Sequence, residues 1–372
     1  MRIAQITLNG YFNYGNILQK FALNHTLKKF ADFVEVLWIE SRSLFSEVGG
    51  NSSYPGVLFK DRRDWEKIFQ LREAVRQSKF KDFENLHVPT RFDFPYLEDI
   101  ADEYDYFVVG SDQVWNPRWN PSHIFFEFVP HEKKIAYAAS IGHPTIPDNK
   151  KELFQRGISD FNHISVREKA TATLINQLTG QTPAVVLDPV LLLTPDEWLT
   201  VAQKPTWLKE KYRRGYILTY YLRLLPPPEV KTLADELNLP VINLLDVLNY
   251  EHFTCGPAEF IWLFMNASLI FTNSFHGVAL SILFKRPFVN REIQGDGGGK
   301  AMASRMATLL GIFGLEERQT FGDKTFTAQE ALTIDFSRRD EMLPRERFKA
   351  FRFLARALGT APREKISEVN AQ

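Results

Sequence analysis

The opening segment MRIAQITLNGYFNYGNILQKFALNHTLKKFADFVEVLWI, residues 1–39, changes periodicity twice. Arg2 to Leu8 is an apolar-rich run of strand length that stops at the turn-forming pair Asn9-Gly10. From Asn16 to Phe30 the apolar residues recur at helical spacing, and Val34 to Ile39 reads as strand again. Strand, helix and strand in close succession form the unit of a parallel sheet, whose crossover is usually a helix. The same alternation continues with strands expected at Tyr106 to Gly110, Lys134 to Ser140, Ile164 to Arg167 and Ala184 to Leu187, with amphipathic helices between several of them. Residues 1–190 are therefore expected to form a Rossmann-like α/β domain.

Around Asp188 to Trp198 the sequence DPVLLLTPDEW carries two prolines, and Thr194-Pro195-Asp196-Glu197 has the form of a helix start with Pro in the first turn. This is the expected crossing between domains. Strands are then expected at Tyr216 to Leu222, Val241 to Leu245 and Ser268 to Thr272. Helices are expected at Pro228 to Asn238, Pro257 to Ala267 and Gly277 to Phe284. A second Rossmann-like domain over 191–336 follows.

Two regions break the rhythm. Residues 60–83 mix charges of both signs with apolar residues near helical spacing, which predicts a helical excursion with a solvated face. Over 337–372, the stripe Phe348, Phe351, Leu354, Ala355 and Leu358, flanked by Arg345, Arg347, Lys349, Arg352 and Arg356, predicts a basic amphipathic helix. Such a helix can lie on an anionic membrane or pack back across the first domain.

Composition narrows the class. The chain has 372 residues, 44% hydrophobic content and zero formal net charge, the balance of an ordinary globular protein rather than a dedicated nucleic-acid binder. A single cysteine, Cys255, excludes an internal disulfide and a cysteine-based zinc site, so a reducing cytoplasm suits the chain. The first apolar run ends too soon for a signal-peptide core, and no uninterrupted apolar stretch approaches the roughly 18–20 residues of a membrane span. The expectation is a cytoplasmic protein, at most peripheral at the inner face of a membrane. The sequence has no HExxH, no Walker lysine loop and no GxSxG, and it demands no metal.

Three strand exits carry polar residues suited to chemistry. Asn13-Tyr14-Gly15-Asn16 precedes a helix and reads either as an anion site built of backbone amides or as a helix-capping turn. Gly110-Ser111-Asp112-Gln113-Val114-Trp115-Asn116-Pro117 ends an apolar strand, where ligands of open α/β sheets bind. There Asp112 could orient or deprotonate a sugar hydroxyl, Gln113 and Asn116 could hydrogen-bond one, and Trp115 could stack on a pyranose; a structural turn is the alternative. Thr272-Asn273-Ser274-Phe275-His276-Gly277 places a histidine at a helix start, where an anion and an imidazole can meet. Arg167 and Arg305 suit bidentate recognition of carboxylate or phosphate, or pairing with a neighbouring acid such as Glu168.

Taken in order, NYGN at 13–16, GSDQVWNP at 110–117, SVRE at 165–168, LDPVLLL at 187–193 and TNSFHG at 272–277 resemble the polysaccharide pyruvyltransferase family. The resemblance implies two Rossmann-like domains in a GT-B-like arrangement with a cleft between them. It also implies phosphoenolpyruvate as donor, no cofactor, and as acceptor a hexose of a surface polysaccharide or of its lipid-linked precursor. By similarity, His276 contacts phosphate and acts as the acid, Ser274 and the Phe275 backbone help hold the anion, and Arg167 and Arg305 grip the donor. Asp112 is then the expected acceptor-side base, and Asn13, Tyr14, Gly15, Asn16, Ser111, Asp112, Gln113 and Trp115 the expected acceptor-binding set. A nucleotide-sugar glycosyltransferase and a silent glycan-binding protein are the competing readings, because one architecture serves several chemistries.

Overall fold

The structure is a computed structural model that describes residues 1–11, 13–38, 62–93, 98–118, 122–222, 225–291, 298–322 and 324–363. Ile39, Lys60, Asp61, residues 295–297 of the glycine-rich tract and the tail beyond 363 lie outside the described residues. The first half runs β1 (Arg2–Ile6), α1 (Tyr14–Leu27), β2 (Phe33–Leu37), α2 (Arg62–His87), β3 (Thr90–Arg91), β4 (Tyr106–Val109), β5 (Lys134–Ala139), α3 (Lys151–Ser159), β6 (His163–Val166), α4 (Lys169–Thr179), β7 (Ala184–Val185) and α5 (Pro195–Leu199). The second runs β8 (Ile217–Tyr220), α6 (Glu229–Leu237), β9 (Val241–Asn243), α7 (Tyr250–Phe253), α8 (Pro257–Asn266), β10 (Leu269–Thr272), α9 (Phe275–Leu283), β11 (Phe288–Arg291), α10 (Gly298–Phe313), β12 (Gln319–Thr320), α11 (Ala328–Leu332) and α12 (Ser337–Ala357).

These strands make two sheets, of seven strands in the order β3-β2-β1-β4-β5-β6-β7 and of five in the order β12-β11-β10-β8-β9. Every pairing in both is parallel. Parallel strands covered by helices on both faces read as unbroken apolar runs, and β5 and β10 are buried along their whole length. Each sheet reverses strand order once, between β1 and β4 in the first and between β8 and β10 in the second. The chain exits beside those reversals are Asn9–Tyr14, Gly110–Trp115 and Asn273–His276, where an open α/β sheet presents its ligand crevice. The architecture is a GT-B-like pair of α/β lobes.

The largest apolar cluster is common to both sheets. It joins Ile3, Tyr14, Leu18 and Val108 of the first to Tyr220, Phe260, Phe264 and Leu280 of the second. Tyr14 is its peg: the ring stacks on Phe260 with centroids 4.2 Å apart, and its hydroxyl donates to the Cys255 carbonyl at 2.6 Å. Helix α5 starts as its sequence predicts, with a capping box in which Glu197 N–H donates to Thr194 Oγ1 at 3.2 Å and Thr194 N–H to Glu197 Oε2 at 2.7 Å.

The charged excursion is a single helix, α2, and its reading as a solvated face needs correction. Arg76, Phe80, Phe83 and Glu84 are buried, and Lys79 reaches Glu259 at 2.7 Å. Helix α12 starts earlier than its sequence stripe implied and buries Leu343, Ala350, Phe351, Leu354 and Ala357. It reaches the first lobe, where Phe351 stacks on Phe30 at 6.0 Å, and at the crossing between lobes Arg347 donates to the carbonyls of Leu191 and Leu193 at 2.6 and 2.5 Å. Phe348 departs from the expected stripe: its ring is exposed, with the Arg352 guanidinium 5.8 Å from its centroid.

Candidate active site

Strand β6 hands the chain to Arg167, whose backbone N–H donates to the Ala139 carbonyl at 3.2 Å and so fixes the start of the side chain. The guanidinium is enclosed. Nη1 lies 2.8 Å from Asp188 Oδ2, Nη2 lies 3.0 Å from Asp112 Oδ1, and the group sits 4.3 Å from the centre of the Phe275 ring. Phe275 begins α9, so the second lobe supplies a wall for a cation of the first.

The turn into α9 is held from several sides. Asn273 exchanges hydrogen bonds with Leu222 across the strand-order reversal, donating to its carbonyl at 3.0 Å and accepting from its N–H at 2.7 Å. Thr272 Oγ1 accepts from Ser274 N–H at 3.0 Å, and Ser274 Oγ, at the N-cap, accepts from Gly277 N–H at 3.4 Å. His276 is then presented on the first turn with little freedom. Its Nε2 stands 3.5 Å from Asp188 Oδ2, an ion-pair distance too long for a good hydrogen bond. That nitrogen and Arg167 Nε are both buried without a hydrogen-bond partner. The other edge of the imidazole rests on Gly15, where any Cβ would collide with Nδ1.

The charges of the cluster act on one another at close range. Burial raises the carboxyl pKa of Asp188, but the nearby His276 and the charge and hydrogen bond of Arg167 outweigh it and hold the group below the ordinary carboxylate range. Asp112 shows the same contest: burial raises its pKa, Arg167, His276 and Arg305 lower it, and the result is a net depression. For Arg167 burial works against the charge, but Asp112, Asp188 and Glu168 win and its pKa rises. Arg305, on α10 with Nη1 4.0 Å from Asp112 Oδ1, is the exception. Burial and the like charge of Arg167 push its pKa down, so an arriving anion would relieve both.

The expected residues divide into two groups. Asp112, Arg167, Ser274, Phe275, His276 and Arg305 converge, and Gly15 joins them as the seat of the imidazole. Asn13 caps α1, its side chain accepting from Asn16 N–H at 3.3 Å. Asn16 is buried, with Oδ1 accepting from Gln19 at 3.4 Å. Ser111 is buried and donates to the Ala138 carbonyl at 2.9 Å, while Gln113 Oε1 accepts from Asn116 at 2.7 Å.

Three expectations are corrected. Trp115 cannot stack on a sugar, because its ring is wholly buried against Phe125 and Phe161. Tyr14 is spent in the shared core. Asp112, paired with Arg167 and depressed in pKa, is a poorer proton acceptor than the base expected of it.

Asp188 is the residue the motif reading passed over. It stood in plain view in Leu187-Asp188-Pro189, where an acid before Pro is explained as a helix cap. One oxygen does cap, with Oδ1 accepting from Val190 N–H at 3.0 Å, while Oδ2 faces Arg167, His276 and, at 3.3 Å, Ser111. Among the described residues no cluster of three or more His, Cys, Asp or Glu side chains is arranged to hold a metal ion. Among the same residues no helix is long and apolar enough to cross a membrane.

Two parallel sheets on one core, with Asp112, Arg167, Asp188, His276 and Arg305 buried together beside their strand-order reversals, define a GT-B-like α/β protein. Its sequence matches the family model of polysaccharide pyruvyl transferase over residues 13–292, and the chain belongs to that family. It is an enzyme that moves the pyruvyl group of phosphoenolpyruvate onto a polysaccharide hexose.

The sequence matches no curated protein at a significant level. Several solved structures are similar over most of its length. UDP-GlcNAc 2-epimerase from Neisseria meningitidis, bound to UDP-GlcNAc, is 10% identical, with 96% of this chain and 100% of that one covered and a TM-score of 0.42. Anabaena HepE in complex with UDP and glucose is 12% identical, with 96% and 99% covered and a TM-score of 0.47. The E. coli ADP-heptose heptosyltransferase II is 11% identical, with 94% and 99% covered and a TM-score of 0.35.

Proposed function

We propose that phosphoenolpyruvate binds between Arg167, Arg305 and His276, with the first amides of α9 at Ser274 and Phe275 completing the anion site. The observation that carries this reading is Asp188 Oδ2, which stands 2.8 Å from Arg167 of one lobe and 3.5 Å from His276 of the other. It holds a guanidinium suited to a carboxylate or phosphate beside an imidazole suited to proton transfer.

The donor dictates the steps. A proton passes from His276 to C3 of the enol, leaving an oxocarbenium-like centre at C2. One sugar hydroxyl adds to C2 and gives up its proton, which restores the imidazolium. The bond between C2 and the bridging oxygen then breaks, phosphate departs with the electron pair, and a second hydroxyl closes the ketal while its proton leaves with phosphate. Arg167 and Arg305 stabilise charge on the carboxylate and the leaving phosphate. Asp112 and Asp188 act as positioning residues for the two cations, in place of the base role expected of Asp112.

Residues 1–190 and 191–336 are the two lobes on this reading, and α12, which opens the segment 337–372, is a strap between them. The exposed side of α12, with Arg345, Phe348, Lys349, Arg352 and Arg356, suits an anionic membrane surface, which would bring a cytoplasmic enzyme to a lipid-linked acceptor. Flotation with anionic liposomes, lost in R345E/K349E/R352E, is the expected result; flotation unchanged in that variant removes α12 as the anchor.

Calorimetric titration tests the centre. Phosphoenolpyruvate should bind the native protein and bind more weakly to Arg167→Ala and His276→Ala, with melting curves showing both variants folded. Binding of uridine or guanosine diphosphate in its place would move the protein to nucleotide-sugar chemistry.

A further inference from the structure

The carboxyl edge of the first sheet continues past the donor centre. Beyond β1, β2 and β3 it carries three aromatic side chains: Tyr11 on the loop after β1, Trp38 directly after β2 and Phe92 directly after β3. Tyr11 and Trp38 stack with centroids 5.2 Å apart and planes 23° from parallel, and Trp38 and Phe92 lie 5.4 Å apart at 37°. Phe92 is 54% exposed, and Tyr11 and Trp38 are partly so.

A charged base fixes this array. Lys20 Nζ lies 5.0 Å from the Trp38 ring centre and donates to Asn9 Oδ1 and Glu84 Oε1, each at 3.1 Å. Lys20 and Glu84 are both almost wholly buried. Glu84 Oε1 also accepts from the Thr90 hydroxyl at 3.1 Å, while Oε2 has no hydrogen-bond partner. Lys81 Nζ stands 5.3 Å from the Tyr11 ring. A buried ion pair adds little net stability, so its value here is positional.

Three neighbouring strands span roughly 10 Å at the usual spacing, wider than one pyranose ring. A pyranose has an apolar face of C–H groups and a rim of hydroxyls. The aromatic shelf suits the first; the Tyr11 hydroxyl and Asn9 suit the second, while Glu84 stays beneath as part of the base. The shelf and the donor centre are linked through one loop. Gly15, which seats His276, follows Tyr11 by four residues, at most about 14 Å of extended chain.

We propose that Tyr11, Trp38 and Phe92 form an acceptor shelf for the sugars adjoining the hexose that receives pyruvate, so that the enzyme reads an oligosaccharide rather than a lone sugar. The proposal rests on the reading of Arg167, Asp188 and His276 as the donor centre, because the loop that carries Tyr11 leads to Gly15, on which His276 is seated. It also supplies the stacking surface that buried Trp115 cannot provide.

The test is binding of the full chain to a printed panel of hexose oligosaccharides of one to four sugars, alongside calorimetric titration with phosphoenolpyruvate. Binding should strengthen with length. Trp38→Ala and Phe92→Ser should each lose about threefold to tenfold on the longer sugars, with phosphoenolpyruvate affinity unchanged. Phe92→Ser alters an exposed ring and keeps the test open if Trp38→Ala melts early. Native binding that ignores length, or is absent, overturns the shelf, as does full affinity in Phe92→Ser. Nucleotide binding that is lost in Phe92→Ser would make the shelf a base site and also overturn it. A donor titration insensitive to Arg167 and His276 would instead overturn the donor centre, and the two failures are separable.

Discussion

Replacing Gly15 by Ala tests the donor centre from a residue with no chemistry of its own. The added methyl would lie 2.6 Å from His276 Cγ and 2.8 Å from Cε1, where ordinary contact begins at 3.4 Å. The ring must therefore retreat by at least 0.8 Å, and it is already confined by Asp188 and Phe275. A misplacement of about 1 Å in a catalytic group can cost roughly 100-fold. Phosphate release from phosphoenolpyruvate with a hexose oligosaccharide acceptor should fall by about that factor. Stability should change little, because overpacking by one methyl costs about 1–3 kcal/mol while Ala gains about 1 kcal/mol over Gly in a helix. For a chain of this size that is a melting shift of only a few degrees. Phosphate release within threefold of the native rate would show that the imidazole need not sit where Gly15 places it, and the role given to His276 would fail with it.

Other perturbations separate positioning from packing. Asp188→Asn should cost about 3–5 kcal/mol in denaturant unfolding at neutral pH, since it leaves Arg167 buried with one partner fewer. The folded carboxyl is depressed, so its contribution is complete above about pH 4 and fades as pH falls toward the folded value; the gap between variant and native protein should narrow there. Burial holds His252 down at about 4, so protonating it opposes the fold. Native stability should drop by up to about 3 kcal/mol as pH falls from 6.5 to 4, and unfolding curves of His252→Gln should lack that drop. Trp115→Ala should lose about 3–5 kcal/mol while its folded fraction binds phosphoenolpyruvate and oligosaccharide normally; selective loss of sugar binding would restore it as an acceptor contact.

The interior strands were legible because a sheet covered on both faces needs unbroken apolar runs, and Lys134 to Ala139 or Leu269 to Thr272 can hardly be read otherwise. Strands β3 and β12, two residues each, have no such signal; neighbours hold them in register. The positions of the site motifs were legible too, since each falls where a strand gives way to polar residues. Their pairings were not. Asp112, Arg167 and Asp188 come from three separate segments of the first lobe and His276 joins them from the second, and no local spacing encodes that. Trp115 misled because an aromatic amid Asp, Gln and Asn looks like a sugar platform. In the fold Asp112 takes a φ of 66°, the backbone N–H of Trp115 donates to the Ser140 carbonyl at 3.2 Å, and the indole lies inside.

The peg formed by Tyr14 bears on how the protein is made. Its ring needs Phe260 and its hydroxyl needs the carbonyl of Cys255, both about two-thirds of the way along the chain. At ribosomal speeds of roughly 5–20 residues per second, Tyr14 leaves the exit tunnel some 10–50 s before its covering arrives. For that interval Tyr14 lacks Phe260 and the Cys255 carbonyl, and Gly15 offers an empty seat. The amino-terminal half should be a chaperone client during synthesis, and slowing translation between residues 190 and 260 should lower the yield of active enzyme without any change in its sequence.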